Sequence, residues 1–244
     1  MEIGPRPAGS EAERQAAIYL RDQLQSYGYE VDLQPFSYET VGDAGSSLDS
    51  QNVAARPKDG ECRVIAGGHY DSVAAGPGGN DNASGAATVV EMARVLAADG
   101  EFDDVCFLLF GAEEPGLIGS ASFVESLTPV EVETLEAMLN FDMVGVGSQW
   151  LFAGSPSITD LAAAEADERG LDYIVERTLP IESDHASFIN EGIPAVLFHS
   201  LFEVVADDPN YHTAEDRAEH VEPSRMAEAA DLGLAVIDVL LSGS

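Results

Sequence analysis

Two adjacent glutamates follow an apolar run of the chain. The run "VCFLLFGA" leads directly into Glu113 and Glu114. Neighbouring carboxylates at the end of a buried strand repel each other and lose hydration, so we expect a cation or hydrogen-bond donors to compensate them. The pair therefore marks a candidate site for chemistry.

Other carboxylates and imidazoles also follow apolar runs. "RVIAGG" precedes His69 and Asp71, and "AMLNF" precedes Asp142. "PAVLFHS" is followed, after a loop, by Tyr211 and His212. Because the carboxyl ends of parallel strands share one edge of a sheet, we expect all these side chains to meet at that edge.

Asp81 lies in the glycine-rich loop "AGPGGNDNASG", which can carry it to the same edge. Mixed His, Asp and Glu ligands without a thiolate suit Zn²⁺, Mn²⁺ or Co²⁺ rather than a cysteine-type structural zinc site. An odd number of carboxylates leaves one free to bridge two ions about 3.5–4 Å apart, as in two-metal hydrolases. The pattern predicts a dinuclear centre.

Alternating strands and helices must position these residues. Ser10 and Glu13 form a capping box that starts a helix ending near Gly28, and Asn82 can cap a second helix that Gly100 stops. Continuous apolar strands between helices predict a mostly parallel central sheet covered on both faces. "YEVDLQPFSYE" and "SQNVAARP" alternate more and predict antiparallel edge strands. We expect a three-layer α/β/α sandwich.

Six ordered motifs resemble those of the M28 family of zinc aminopeptidases. They are "HYDS", "GGNDNASG", "GAEEPGLIGS", "LNFDMVG", "SDHASF" with "GIPAV", and "YHTAED"; the opening "IGPRPAGSEAE" is similar as well. The resemblance runs from about residue 3 to the last helix. It implies a single M28-like peptidase domain over residues 1–244, of the zinc-exopeptidase type, because the short spacing of the motifs leaves no room for a lid or protease-associated insertion.

The resemblance also implies a ligand set for two Zn²⁺ ions, with Co²⁺ or Mn²⁺ as substitutes. His69 and Asp142 would bind one ion, and Glu114 and His212 the other. Asp81 would bridge the two.

Three further roles follow from the same resemblance. Glu113 would be the general base, the Tyr211 hydroxyl would stabilise the oxyanion, and Asp71 would orient the His69 ring. The peptide bond between Asp81 and Asn82 would be cis. The implied activity is hydrolysis of the N-terminal bond of peptides that have a free N-terminus.

Two alternatives stay open. A glutaminyl-cyclase-like acyltransferase would use a single zinc on the same fold, although such relatives usually alter the metal set. A non-catalytic binding protein of this fold would have lost ligands, and none is missing here. Metal content separates the three hypotheses, with about two, one or no ions per chain.

The composition limits the partners of the chain. Its 44 acidic and 11 basic residues give a formal charge of −33, which argues against nucleic acid or an anionic membrane as a partner. Acidic residues occur along the whole chain, so we expect a halophilic protein in which salt screens self-repulsion. No secretory leader is apparent, so we expect a cytoplasmic location, with secretion open if a leader has been removed. The oligomeric state stays open.

The remaining reactive side chains receive structural interpretations. We expect buried free thiols at Cys62 and Cys106, with a bridge between neighbouring strands as the alternative. We expect Trp150 in the core and His220 at the surface. Other residues are interpreted as core or near-site residues rather than ligands or a substrate pocket: His185, His199, Phe188, Phe198, Leu201 and Phe202.

Overall fold

The computed structural model describes residues 3–39, 47–58, 60–100, 104–178, 181–201 and 208–243. Within these residues, the strands are β1 (Glu30–Glu39), β2 (Ser47–Arg56), β3 (Val64–His69), β4 (Val105–Phe110), β5 (Ala137–Phe141), β6 (Gln149–Gly154), β7 (Tyr173–Glu176) and β8 (Ala195–Leu201). The helices are α1 (Glu11–Ser26), α2 (Ala83–Asp99), α3 (Ile118–Ser126), α4 (Pro129–Thr134), α5 (Pro156–Arg169), α6 (His185–Asn190) and α7 (Pro223–Ser242), with a short 3-10 helix at Ala218–His220.

All the strands belong to one mixed sheet with the order β1-β2-β4-β3-β5-β8-β6-β7. β4, β3, β5 and β8 are mutually parallel, and β1 and β2 form the predicted antiparallel edge. At the other edge β6 runs antiparallel to β8, and β7, which the sequence pattern did not reveal, pairs with β6. The predicted mixed sheet is confirmed.

Helices cover both faces of the sheet. Side chains of α1, α2, α5 and α7 pack with one face, where Phe141 and Phe198 stack with ring centroids 4.8 Å apart. Side chains around α3, α4 and α6 pack with the other face against Phe110 and Met138. Burial on both faces explains why the central strands are continuous apolar runs. The three-layer α/β/α prediction is confirmed.

The predicted helix signals occur with one difference. The Ser10 hydroxyl accepts a hydrogen bond from the Glu13 N–H at 3.1 Å, but the Glu13 carboxylate accepts from the N–H of Gly9 instead of that of Ser10. Asn82 caps α2 by accepting from the Gly85 N–H. Gly100 ends that helix at φ 75°, a conformation that glycine adopts without strain.

Cys62 and Cys106 form a disulfide, with their Cα atoms 5.3 Å apart. The expectation of buried free thiols was wrong. Cys62 lies just before β3 and Cys106 lies in β4, and these two strands are parallel neighbours, with Ile65 paired to Cys106. Strand order decides this contact, and the cysteine spacing does not reveal the order.

The aromatic residues interpreted as core are buried. Trp150 is completely buried, and its indole N–H donates to Glu228 at 2.8 Å. Phe188 and Phe198 are also fully buried, and Leu201 is buried at the end of β8. Phe202 lies outside the described residues. Among those described, no helix combines the length and the apolar character that a membrane crossing needs.

Candidate metal centre

The predicted site residues meet at the carboxyl end of the parallel strands. His69 is the last residue of β3, and Asp142 directly follows β5. Glu113 and Glu114 follow β4 after a short turn. His212 comes after β8 along the chain and reaches the same edge. The prediction that these side chains converge is confirmed by their distances.

The side chains form two groups. Within each group, the potential ligand atoms all lie within 4.8 Å of one another. One group is His69, Glu113 and Asp142, and the other is Asp81, Glu114 and His212. Each combines one imidazole with two carboxylates, which is a common donor set for zinc and related divalent ions.

Asp81 belongs to the second group and also contacts His69 of the first. Its Oδ1 is 3.3 Å from His69 Nε2, and its Oδ2 is 3.1 Å from His212 Nε2. The same nitrogens face Asp142 Oδ1 at 3.4 Å and Glu114 Oε2 at 3.0 Å, respectively. Each oxygen of Asp81 therefore faces a different imidazole, as a bridging carboxylate requires. The Asp81–Asn82 peptide bond is cis, as the resemblance implied.

Two buried oxygens of this cluster lack hydrogen-bond partners. Within the described part of the chain, Glu114 Oε1 and Asp142 Oδ1 are fully buried and accept no hydrogen bond. A buried carboxylate oxygen without a donor is costly, and a divalent cation is the partner that would remove this cost. The residues present therefore fit a metal.

Burial and neighbouring charges disfavour ionisation of both glutamates. Burial, together with Asp184, Asp142 and Asp71, raises the pKa of Glu113 to about 9 against the opposing charge of His69. Burial and then the Asp81 charge raise the pKa of Glu114 to about 7. Protonation relieves the repulsion between close carboxylates, and a bound metal would displace those protons.

Asp71 supports the cluster in a broader way than predicted. Its Oδ1 lies 3.4 Å from His69 Nδ1, which is beyond a good hydrogen bond. The two carboxylate oxygens instead accept the backbone N–H groups of Glu113 and Glu114 at 3.1 and 3.3 Å. Asp71 thus ties the turn that carries both glutamates to the end of β3.

Polar side chains hold the Asp142 segment on two sides. Asn82 donates to the Phe141 carbonyl at 2.8 Å and accepts from the Met143 N–H at 3.2 Å. The Ser183 hydroxyl donates to Asp142 Oδ2 at 2.7 Å, and His199 Nδ1 lies 3.0 Å from the Asp142 carbonyl oxygen. The interpretation of His199 as a near-site residue is confirmed, whereas sequence reasoning missed Ser183.

Strained backbone accompanies the cluster. Ala112, Met143 and His212 are non-glycine residues with φ of 53°, 55° and 57°, and each is a predicted ligand or adjoins a predicted site residue. Such conformations persist where neighbouring groups enforce them. For Ala112 the enforcing group is the buried Glu13, whose Oε1 accepts the Ala112 N–H at 3.1 Å.

The other polar residues near the edge fall outside the two groups. Tyr211 is 43% exposed, and its ring stacks on His212 with centroids 3.8 Å apart. Asp184 and His185 are buried but join neither ligand group. Burial raises the pKa of Asp184 to about 7 and lowers that of His185 to about 4. His220 is exposed, as expected.

Comparison with known proteins places this geometry in a family. The model of peptidase family M28 matches residues 52–237. Over 180 residues the chain is 36% identical to aminopeptidase YwaD of Bacillus subtilis, an alignment covering 69% of this chain and 39% of YwaD. It is 33% identical to leupeptin-inactivating enzyme 1 of Streptomyces exfoliatus over 78% of this chain and 43% of that enzyme. The chain thus spans about two fifths of the length of these relatives.

Solved structures agree on the fold. The zinc aminopeptidase BSAP from Bacillus subtilis matches with a TM-score of 0.84 and 22% identity, covering 96% of this chain and 90% of BSAP. At that sequence identity, the similarity supports a shared fold and nothing more. The family model, in contrast, covers residues 52–237, a span that contains all the predicted metal ligands. The chain belongs to peptidase family M28.

Proposed function

We propose that this protein is a metal-dependent aminopeptidase that hydrolyses the N-terminal peptide bond of peptides. The observation that carries the proposal is the position of Asp81, whose two oxygens face His69 and His212 at 3.3 and 3.1 Å. One imidazole and a carboxylate stand on each side of it. Together with membership of the M28 family, this arrangement favours two ions bridged by one carboxylate.

The donor chemistry favours zinc, with Co²⁺ or Mn²⁺ as substitutes. The ligands would be His69 and Asp142 for one ion, Glu114 and His212 for the other, and Asp81 for both. When bound, such ions lower the pKa of water and polarise the scissile carbonyl.

Glu113 is our candidate for the general base. Its carboxylate is close to the His69 and Asp142 ligand atoms, so it can accept a proton from the attacking water and pass it to the leaving amine. The same closeness would let Glu113 act as a third ligand, so its role needs a direct test. The hydroxyl of Tyr211, a partly exposed residue, would donate to the oxyanion as the carbonyl carbon becomes tetrahedral.

The acidic cluster would also favour substrates with a free chain end. A free α-amine is a cation at neutral pH, and the carboxylates around the centre attract it. An N-acetylated peptide lacks that charge. The proposed substrates are therefore peptides with a free N-terminus, and acylation of that amine should abolish turnover.

The test combines metal content with substrate choice. Purified protein should hold about two metal ions per chain and release p-nitroaniline from Leu-p-nitroanilide, but not from its N-acetyl derivative. Chelation should stop turnover, and Zn²⁺ should restore it. One ion per chain with cyclisation of N-terminal glutamine would support the acyltransferase instead, and a chain without metal would contradict both enzymes.

A further inference from the structure

The backbone amides of the loop that carries Asp81 converge on one buried residue, Asp216. We call residues 76–81 the Asp81 loop. The backbone N–H groups of Gly79, Asn80 and Asp81 all point to Asp216: the first donates to the Asp216 carbonyl at 3.0 Å, and the other two donate to its carboxylate oxygens at 2.6 and 3.0 Å. Three consecutive amides thus converge on one residue.

A buried guanidinium binds the carbonyl groups of the same loop. The Arg6 guanidinium donates to the carbonyls of Pro77 and Gly78 at 2.6 and 3.2 Å, and to that of Tyr70 at 2.7 Å. Arg6 therefore binds the loop carbonyls and Asp216 binds the loop amides. Both ends of the connection between β3 and Asp81 are fixed by side chains distant in sequence.

Asp216 also belongs to the segment that supplies His212. The two residues are four positions apart, and His212 Nε2 contacts Asp81 Oδ2 at 3.1 Å. Backbone packs directly on backbone here, because a Cβ at Gly76 would lie 1.9 Å from the Thr213 carbonyl oxygen. Asp216 is therefore a polar link between the loop with the candidate bridging ligand and the segment that carries His212.

Burying an ionisable side chain at this position is energetically unfavourable, so we expect its contacts to require it. Asp216 is only 3% exposed, and it adds negative charge close to Asp81 and Asp208. Both oxygens of Asp216 accept backbone N–H groups. An asparagine would avoid the charge, but its NH₂ group would then face one of these N–H groups, and two donors cannot form a hydrogen bond. Only a carboxylate presents a separate acceptor oxygen to each of the two amides.

We propose that Asp216 is a positioning residue that sets the distance between Asp81 and His212. It would thereby set the affinity for the second metal ion, by which we mean the ion that Glu114 and His212 would bind. The inference rests on the proposed two-metal function. The outer partners of metal ligands typically contribute roughly 10- to 100-fold to metal affinity. We expect a loss in that range when Asp216 no longer accepts both amides.

The test is a titration of metal-free protein with Co²⁺, followed by the visible absorption of the bound ion. Wild-type protein should bind two ions, and Asp216→Asn should bind one ion about as tightly as wild type and the second roughly 10- to 100-fold more weakly. Asp208→Asn is the matched control. Asp208 is also buried and lies in the same segment. It accepts from the Asn80 side chain at 3.2 Å rather than from the backbone N–H groups of the loop.

The outcomes separate this inference from the proposed function. A wild-type chain that binds fewer than two Co²⁺ ions contradicts the two-metal function itself. Two ions in wild type, with unchanged second-ion affinity in a folded Asp216→Asn variant, overturn the role of Asp216 alone. Equal losses in Asp208→Asn and Asp216→Asn also overturn it, because general charge or packing would then be the cause.

A second variant guards against misfolding of the first. Asp216→Glu keeps the charge but places the carboxylate one methylene further out, so it cannot keep both amide contacts at their present distances. The thermal unfolding midpoint of each metal-free variant shows whether it is folded. The proposal expects weakened binding of the second Co²⁺ in Asp216→Glu as well, and wild-type affinity in that variant contradicts it.

Discussion

Glu113 and Glu114 are neighbours in sequence, yet their carboxylates belong to different ligand groups. We expect Glu113→Gln to keep both metal ions and to lower kcat by roughly 10²- to 10⁴-fold, because an amide cannot accept the proton from water. Glu114→Ala should instead lower the metal content. Metal analysis and Leu-p-nitroanilide kinetics on both variants test this division of roles.

The reverse pattern would reassign the two residues. If Glu113→Gln loses an ion, Glu113 is a ligand, as its closeness to His69 and Asp142 allows. Full metal content in both variants would show that neither glutamate is needed for binding.

Glu13 provides a test of pH dependence away from the ligands. Burial raises its pKa from 4.5 to about 7, against hydrogen bonds from Ser50, Gly9 and Ala112. Between these values the folded chain keeps a proton that the unfolded chain has released, so this group makes the free energy of unfolding fall as pH rises from about 4.5 to about 7. Glu13→Gln should reduce the fall seen in urea unfolding between pH 5 and pH 8.

A control in the same helical turn isolates the buried group. Glu11 is exposed and paired with Arg14, so Glu11→Gln should leave most of the decline with pH in place. An equal decline in Glu13→Gln and wild type would show that Glu13 does not titrate as its burial indicates.

At the residue scale, candidate metal ligands are easier to predict from the sequence than the side chains that hydrogen-bond to the backbone of a loop. His69, Asp142 and the two glutamates are recognisable because each follows an apolar strand, and Asp81 because it lies in the glycine-rich loop after His69. Arg6 and Asp216 stand inside quoted motifs, but their contacts are to backbone groups of a loop distant in sequence. No spacing rule indicates such contacts, so their roles appear only when the loop is seen folded.

Among the elements, the central strands were the most predictable. β3, β4, β5 and β8 are short continuous apolar runs because both of their faces are covered. The edge strand β7 has only four residues, all partly exposed, so it lacks that signature. The antiparallel pairing of β6 with β8 depends on strand order, which apolar periodicity does not encode.

The disulfide joins two neighbouring elements and closes a long loop. Cys62 and Cys106 are 44 positions apart, and the loop between them contains His69 and Asp81. Closing a loop of this length is worth about 4 kcal/mol in the chain-entropy model. We expect the Cys62→Ala, Cys106→Ala double variant to lose stability up to that amount in urea unfolding of metal-free protein.

Reductant supplies the matched comparison for the bridge. Dithiothreitol should lower the free energy of unfolding of wild-type protein towards that of the double variant, and should leave the double variant unchanged. A wild-type chain that is indifferent to full reduction, with its thiols titrated to prove it, would contradict a stabilising role.

Over the whole molecule, charge is the dominant feature. The formal charge of −33 leaves most carboxylates without a basic partner, and their mutual repulsion opposes the compact state. We expect the free energy of unfolding to rise from low salt to molar KCl, because ions screen this repulsion. Denaturation at several KCl concentrations measures it.

Sucrose is the control for that experiment, because it favours burial through exclusion from the surface without screening charge. The gain in KCl should clearly exceed the gain in sucrose of equal osmolality. A flat response to KCl would remove the halophilic hypothesis.

The bridge also bears on where the molecule works. Disulfides persist mainly in oxidising compartments and are rare in the cytosol of most organisms. The cytoplasmic location expected from the sequence stays a prediction, and the Cys62–Cys106 disulfide is the feature that bears on it.

The position of β8 has a consequence for how the chain acquires its fold. β8 is the last strand in sequence, yet it lies between β5 and β6, and β6 and β7 join the sheet only through it. Until β8 has left the ribosome, β6 and β7 have no sheet to join. His212 follows β8 in sequence, so the candidate metal centre is completed only after that strand has emerged. Pairing of such distant segments is slow, and nascent chains expose unpaired strand edges during that wait.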